Sequence, residues 1–330
     1  MKIKFAQYGI SHDHASGKTR TLMDNEEVEF CGVFEPSSEV REWLGQNSTY
    51  DEVHWFSSKE EFLEDDSIQG IACQGRVSEN LGFAREALEH GKHVWLDKPA
   101  GDNLDAFRTV LDLAREKKLL VQLGYMFRTN PAFQFIYDWA KSGRLGEIFS
   151  VRGRISSPAD TKEDHWRRWD SRGESEGGIM FILNCHLIDQ VVGLLGRPEK
   201  VTPYLKNKGK EYPLFQDNTA AVFEYHDALA IVESTGLEHS SGQTRRFEVY
   251  GTRGSAILEP LEPPTLRLCL DEDRDGFKQG WQQVPIEHRP RYVDNLRSIV
   301  GVIRGEKDPD RTLYHEFIVQ ETVLRAAGLI

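Results

Sequence analysis

A chain of 330 residues exceeds what one small hydrophobic core organises, which predicts two domains. Its composition, 39% hydrophobic and 28% charged, is that of a globular protein, and no apolar run is long enough to cross a bilayer, so no membrane association is expected. The net charge of −12 argues against nucleic acid as a partner, because phosphate binding needs a positive surface.

The opening residues lack the apolar core and cleavage site of a secretory signal and read as a first strand, 2–8. Cys31, Cys73, Cys185 and Cys269 lie far apart with no Cys-x-x-Cys pair. They suit buried thiols in a reducing compartment, so a cytoplasmic location is expected. A helix over 15–24 and a strand over 28–34 follow. A helix over 57–64, a strand over 68–73 and an amphipathic helix over 79–90 stopped by Gly91 come next. A strand over 92–96, a helix over 104–117 and a strand over 119–123 complete the first third. Strands separated by helices imply right-handed crossovers and a doubly wound parallel sheet.

After residue 124 the texture changes. Helices are predicted over 131–141 and 178–195, with a strand over 148–155. Short, often alternating runs over 218–225, 229–234, 246–250 and 255–258 predict an antiparallel meander. Helices over 292–304 and from 314 onward close the chain. The expected architecture is α/β: a dinucleotide-binding domain over 1–124 and an α+β domain with an open, mostly antiparallel sheet over 125–330.

The turn after the first strand, Gly9-Ile10-Ser11-His12-Asp13-His14-Ala15-Ser16-Gly17, carries one glycine of a dinucleotide fingerprint, with Ser11 and His14 at the other glycine positions. A phosphate-side role is expected for this loop. His12 and His14 make half a metal site with no partner cluster in the sequence, so no metal is expected. Glu35 ends the second strand, where a carboxylate accepts ribose hydroxyls and repels a 2′-phosphate, favouring NAD over NADP.

The run Gly91-Lys92-His93-Val94-Trp95-Leu96-Asp97-Lys98-Pro99 resembles the glucose-fructose oxidoreductase/inositol dehydrogenase family (Gfo/Idh/MocA), with Asp97 in place of the Glu of its Glu-Lys-Pro motif. The likeness continues at Gly124-Tyr125-Met126-Phe127-Arg128, at Gly143-Arg144-Leu145-Gly146-Glu147-Ile148 and at Phe247-Glu248-Val249-Tyr250-Gly251-Thr252-Arg253-Gly254-Ser255. It implies that Lys98 sits beside the nicotinamide and hydrogen-bonds the reacting hydroxyl. His186, in the Gly177-Gly178 helix, matches the family's general acid–base. The carboxylate expected four residues earlier is Ile182, which cannot orient an imidazole. The family's Thr-Pro-Asn turn and following His are replaced by Cys73-Gln74-Gly75-Arg76-Val77-Ser78-Glu79-Asn80, with Asn80 at the His position.

The resemblance implies cofactor contacts at Gly9, Ile10, Ser11, His12, His14, Glu35, Cys73, Gln74, Asp97 and Lys98. It implies substrate contacts at Lys98, Arg128, Trp166, Arg167, Arg168 and His186. The segment His165-Trp166-Arg167-Arg168-Trp169-Asp170 offers aromatic faces for a sugar ring and guanidinium forks for an acidic group. The expected activity is NAD-dependent hydride transfer to or from a secondary alcohol of a sugar, polyol or sugar acid. The expected assembly is a homo-oligomer, dimer or tetramer, through the C-terminal sheet. An NAD-dependent glycosidase or lyase and a non-catalytic nucleotide-binding regulator are the competing expectations.

Overall fold

The computed structural model describes residues 1–157, 177–209 and 215–330. Its first unit is built on a five-stranded parallel sheet in the order β2-β1-β3-β4-β5. The strands are β1 (Ile3–Tyr8), β2 (Val28–Phe34), β3 (Gly70–Cys73), β4 (His93–Leu96) and β5 (Val121–Leu123). Strands β3 and β5 are buried at every position, as an all-parallel sheet requires when both faces are covered. Helices α1 (Ala15–Met23), α2 (Ser38–Leu44), α3 (Lys59–Leu63), α4 (Val77–Glu89) and α5 (Leu104–Lys117) make the crossovers. Ser37, Ser58 and Asn103 cap α2, α3 and α5 by accepting a backbone N–H in the first turn.

This unit takes in residues 1–125 and also 291–317. The sequence reading assigned the second stretch to the C-terminal domain. Leu296, Ile299 and Val300, one face of the helix Val293–Ile303, join Ile3, Phe5, Leu22, Val28 and Trp95 in a single core. A run of i, i+3, i+4 apolar residues states that a helix has a buried face, not which core receives it.

The second unit carries an eight-stranded sheet among its described residues, in the order β13-β12-β11-β10-β6-β9-β8-β7. Its strands are β6 (Ile148–Arg154), β7 (Lys200–Lys206), β8 (Asn218–Glu224) and β9 (Leu229–Thr235), then β10 (Arg246–Gly251), β11 (Gly254–Leu258), β12 (Leu266–Leu270) and β13 (Gly280–Val284). All neighbours are antiparallel except β6 and β9. Register places Leu268, Ala256, Val249, Val151, Ala230 and Phe223 in one cross-strand row, each fully buried. The helix Cys185–Leu195 packs on β6, β9 and the helix α6 (Pro131–Lys141).

Replacing Leu296 by Ala should cost about 2–5 kcal/mol, as for a buried leucine in a closed core. Urea unfolding checks this; a loss below about 0.5 kcal/mol would contradict the placement of that helix in the first core.

Candidate functional site

The loop after β1 leaves the sheet at its carboxyl edge, where open parallel sheets bind ligands. Gly9 has φ +81°, and a Cβ there would lie 2.8 Å from the Gly75 backbone, so the β1 and β3 loops approach more closely than a side chain permits. The Gly9 N–H donates to Phe34 O, and the His12 N–H to Gln74 O. Cys73 and Gln74, expected at the cofactor, are fully buried. Ile10 and Ser11 are buried as well. The first turn of α1 holds no acidic residue, and His14 at its N-cap makes no side-chain cap bond. The Ala15 N–H donates to His12 O; a helix N-terminus without a side-chain cap is where an anion such as a pyrophosphate would be favoured.

Glu35 follows β2 and turns into this loop. One carboxylate oxygen accepts the Ile10 N–H at 2.8 Å and the other the Ser37 N–H at 2.9 Å. Burial raises its pKa to about 6, against the lowering effect of those two N–H groups. A pocket of about 260 Å³ beside the loop is lined by Ile10, Ser11, His12, Asp13, Trp43 and Tyr50, among others.

At the end of β4, Asp97 is fully buried and is the centre of a charged cluster. One carboxylate oxygen accepts the Lys98 N–H at 2.7 Å and faces His14 Nδ1 at 3.1 Å. The other lies 2.9 Å from Lys18 Nζ and 3.4 Å from His12 Nδ1. Burial alone would raise the Asp97 carboxyl, but His12, Lys18 and His14 hold it well below the usual carboxylate range. Burial lowers His12 to about 3 and lowers His14 and Lys18, with Asp97 opposing in each case. Both imidazoles are therefore neutral at pH 7. Lys98 is nearly buried, and the Lys98–Pro99 peptide is cis.

The sequence showed half a metal site at His12 and His14; folding brings Asp97 to them, with ligand-type atoms within 4.8 Å. The Lys18 ammonium lies 2.9 Å from the same carboxylate. Asn80, expected to replace the family's histidine, is buried in α4 and spends its side-chain oxygen on the Gly75 N–H.

In the second unit, the helix expected over 178–195 is divided. A π-helical turn spans Met180–Asn184 and the α-helix begins at Cys185. Single π turns recur at functional sites. Ile182 is buried within this turn, and His186 is buried with its ring 5.3 Å from that of Phe127. Arg128, expected at the substrate, instead grips the buried Asp189 through Nε and Nη2 at 2.7–3.1 Å. Gln190 donates to the same carboxylate. This bidentate pair is committed inside the protein. Trp166, Arg167 and Arg168 lie outside the described residues.

The family model described as "Oxidoreductase family, NAD-binding Rossmann fold" matches residues 9–125, and the GFO/IDH/MocA C-terminal domain matches 133–257. The chain belongs to the GFO/IDH/MocA family, and its first unit is that family's NAD-binding fold. It is 28% identical over 238 residues to the uncharacterized oxidoreductase YhhX of Escherichia coli, covering 70% of this chain and 65% of that protein, less than two thirds of its length. It is 22% identical to levoglucosan dehydrogenase of Pseudarthrobacter phenanthrenivorans, covering 79% of this chain and 72% of that one. A crystal structure of a candidate NADPH-dependent oxidoreductase from Desulfitobacterium hafniense shares the fold, with a TM-score of 0.84 at 17% identity, over 99% of this chain and 95% of the other.

Glu35 generates a pH prediction. If it holds the ribose, its carboxylate would be the stronger acceptor for the hydroxyls when ionised, and burial raises its pKa to about 6. NAD affinity should therefore rise with pH through about 6 and level off above 7. Calorimetric titration from pH 5 to 8 checks this; Glu35→Gln should flatten the dependence.

Proposed function

We propose that this chain is an NAD-dependent dehydrogenase that moves hydride between nicotinamide and a secondary alcohol carbon of a sugar, polyol or sugar acid. The observation that carries the reading is Lys98, nearly buried at the carboxyl end of β4, with its backbone N–H fixed on Asp97 at 2.7 Å. An ammonium at that strand end can hydrogen-bond a hydroxyl and stabilise the alkoxide that develops as hydride departs. The levoglucosan dehydrogenase relative supports a carbohydrate-like substrate.

The residues present fit a dinucleotide: an uncapped α1 N-terminus, a close Gly9–Gly75 approach and a carboxylate after β2. Bound NAD would supply the hydride acceptor. Glu35 favours NAD, because a 2′-phosphate would meet its negative charge. The family resemblance assigns the proton step to His186; position 182 is isoleucine where the family carries a carboxylate. We place the enzyme in the cytoplasm on its four free cysteines; no helix among the described residues is long and apolar enough to span a membrane.

A homo-oligomer through the sheet of the second unit completes the proposal. The face opposite the helices aligns Trp281, Cys269, Ser255, Tyr250, Ser150 and Leu229 in one cross-strand row. Tyr204, Leu229, Ile231 and Trp281 on that face are 39–57% exposed. Exposed apolar patches of this kind mark interaction surfaces.

A panel of sugars, polyols and uronic acids should yield at least one substrate that drives NADH formation. Lys98→Met should lower kcat on it by about 10²-fold or more. Turnover unaffected by that change would contradict the assignment. Light scattering at micromolar concentration should give a dimer or tetramer, and Trp281→Asp should shift it towards monomer. A wild-type monomer would contradict the sheet-face interface.

A further inference from the structure

Lys18 is a charged residue where helical packing calls for an apolar one. The face that α1 turns inward is Ala15, Lys18, Thr19 and Leu22, an i, i+3, i+4, i+7 stripe, and the Lys18 side chain is wholly buried on it. Taking an ammonium out of water demands an opposite charge, and the one it meets is Asp97, the residue before Lys98. We propose that Lys18 is a positioning residue for the dehydrogenase reaction: acting through Asp97, its ammonium fixes the backbone from which Lys98 reaches the substrate oxygen. This rests on the dehydrogenase reading.

The two oxygens of Asp97 are engaged differently. Oδ2 lies 2.9 Å from Lys18 Nζ, and Oδ1 accepts the Lys98 N–H at 2.7 Å. A carboxylate held by one oxygen can still swing about that bond; holding the second oxygen fixes its plane. The peptide joining Asp97 to Lys98 is fixed with it, and so is the direction in which the Lys98 side chain leaves the backbone. His14 Nδ1 stands 3.1 Å from Oδ1 and His12 Nδ1 3.4 Å from Oδ2, so a carboxylate released by Lys18 has two imidazoles to turn towards. The ammonium keeps Oδ1 on the Lys98 N–H.

The surroundings of the ammonium suit it closely. Nζ lies 4.4 Å from the ring centroid of the buried Trp95 and 5.8 Å from that of Tyr292. A Cβ on Gly124 would come within 2.6 Å of Nζ. Gly124 does not take a positive φ, so its backbone does not itself require glycine; the space that the ammonium fills does.

The pair also joins the two ends of the proposed cofactor site. Lys18 lies in the first turns of α1, its N–H donating to His14 O at 2.9 Å, and that helix begins at the loop to which a phosphate-side role is given. Asp97 and Lys98 follow β4, where the nicotinamide would lie. An ion pair between α1 and the end of β4 holds the phosphate loop and the catalytic lysine in register.

The test uses three variants of the full-length chain, Lys18→Met, Gly124→Ala and the two combined, on a substrate found in the panel. Rates are counted per NAD-binding site measured by calorimetry, so that loss of folded protein does not register as loss of kcat. Lys18→Met removes the charge. Gly124→Ala keeps the charge and displaces it, because the added methyl meets the mobile end of the lysine, while its next neighbours, Asp97 Oδ1 and Leu96 O, stand at 3.3 and 3.5 Å. Each single change should lower kcat about 10- to 100-fold, the scale of a misplacement of about 1 Å, with NAD affinity within about twofold of wild type. The combined variant should be no more than about twofold slower than Lys18→Met, because the methyl has no ammonium left to displace. Should Lys18→Met fail to fold, Gly124→Ala decides alone. With the wild type turning over, a Gly124→Ala kcat within about twofold of it overturns the positioning role and leaves the dehydrogenase reading standing. So do losses that multiply in the combined variant, or a fall in NAD affinity that matches the fall in kcat. Absence of NADH formation by the wild type across the panel overturns the dehydrogenase reading, and the positioning role with it.

Discussion

A fully buried carboxylate, Asp97, imposes the constraint around which the first unit is arranged. Removing such a group from water costs several kcal/mol in effective terms, roughly, and is tolerated only when opposite charge and donors surround it. The fold supplies them from separate places: Lys18 from α1, His14 from its N-cap, and the Lys98 N–H from the next residue. Other features follow from that need. The Gly124 position stays empty of a side chain, and Trp95 and Tyr292 offer aromatic faces to the ammonium. Truncating either partner of the Lys18–Asp97 pair would leave a lone buried charge, so the cluster stands or falls together.

The same logic recurs in the second unit. Arg128 and Asp189 form a bidentate pair that is almost entirely inaccessible, and Gln190 completes the carboxylate's bonds. A guanidinium bound through Nε and Nη2 to a buried carboxylate holds the scaffold together. Polar residues near a proposed pocket thus separate into those that hold the scaffold and those left accessible. In the first unit the imidazoles of His12 and His14 keep 12% and 18% of their side chains exposed.

Much of the fold was legible in the amino-acid order. The strand Val28–Phe34 and the helices Leu104–Lys117 and Pro131–Lys141 fall where period and caps place them. Three strands were not predicted, β7, β12 and β13; two of them have identifiable causes, while β12, Leu-Arg-Leu-Cys-Leu, alternates as a strand should. Strand β7 contains Pro203, which argues against a central strand but is tolerated at an edge, and β7 is the last strand of its sheet. Strand β13, Gly-Trp-Gln-Gln-Val, is the opposite edge and too polar to declare itself. At the site, Lys98 and Glu35 could be placed from local motifs. The Asp97–His14 contact joins residues 83 apart in the chain, and Lys18, a residue type that normally seeks water, lies on the helix face of Ala15 and Leu22. Only tertiary structure supplies the buried carboxylate that the lysine meets there.

The central claim is that the first unit binds a nicotinamide dinucleotide at the loop between β1 and α1, with Glu35 selecting the cofactor. Isothermal titration of the wild-type protein with NAD and with NADP tests it most directly. One saturable site per chain is expected, tighter for NAD, with the preference reversed in Glu35→Arg. Failure of both dinucleotides to bind at millimolar concentration would contradict the account.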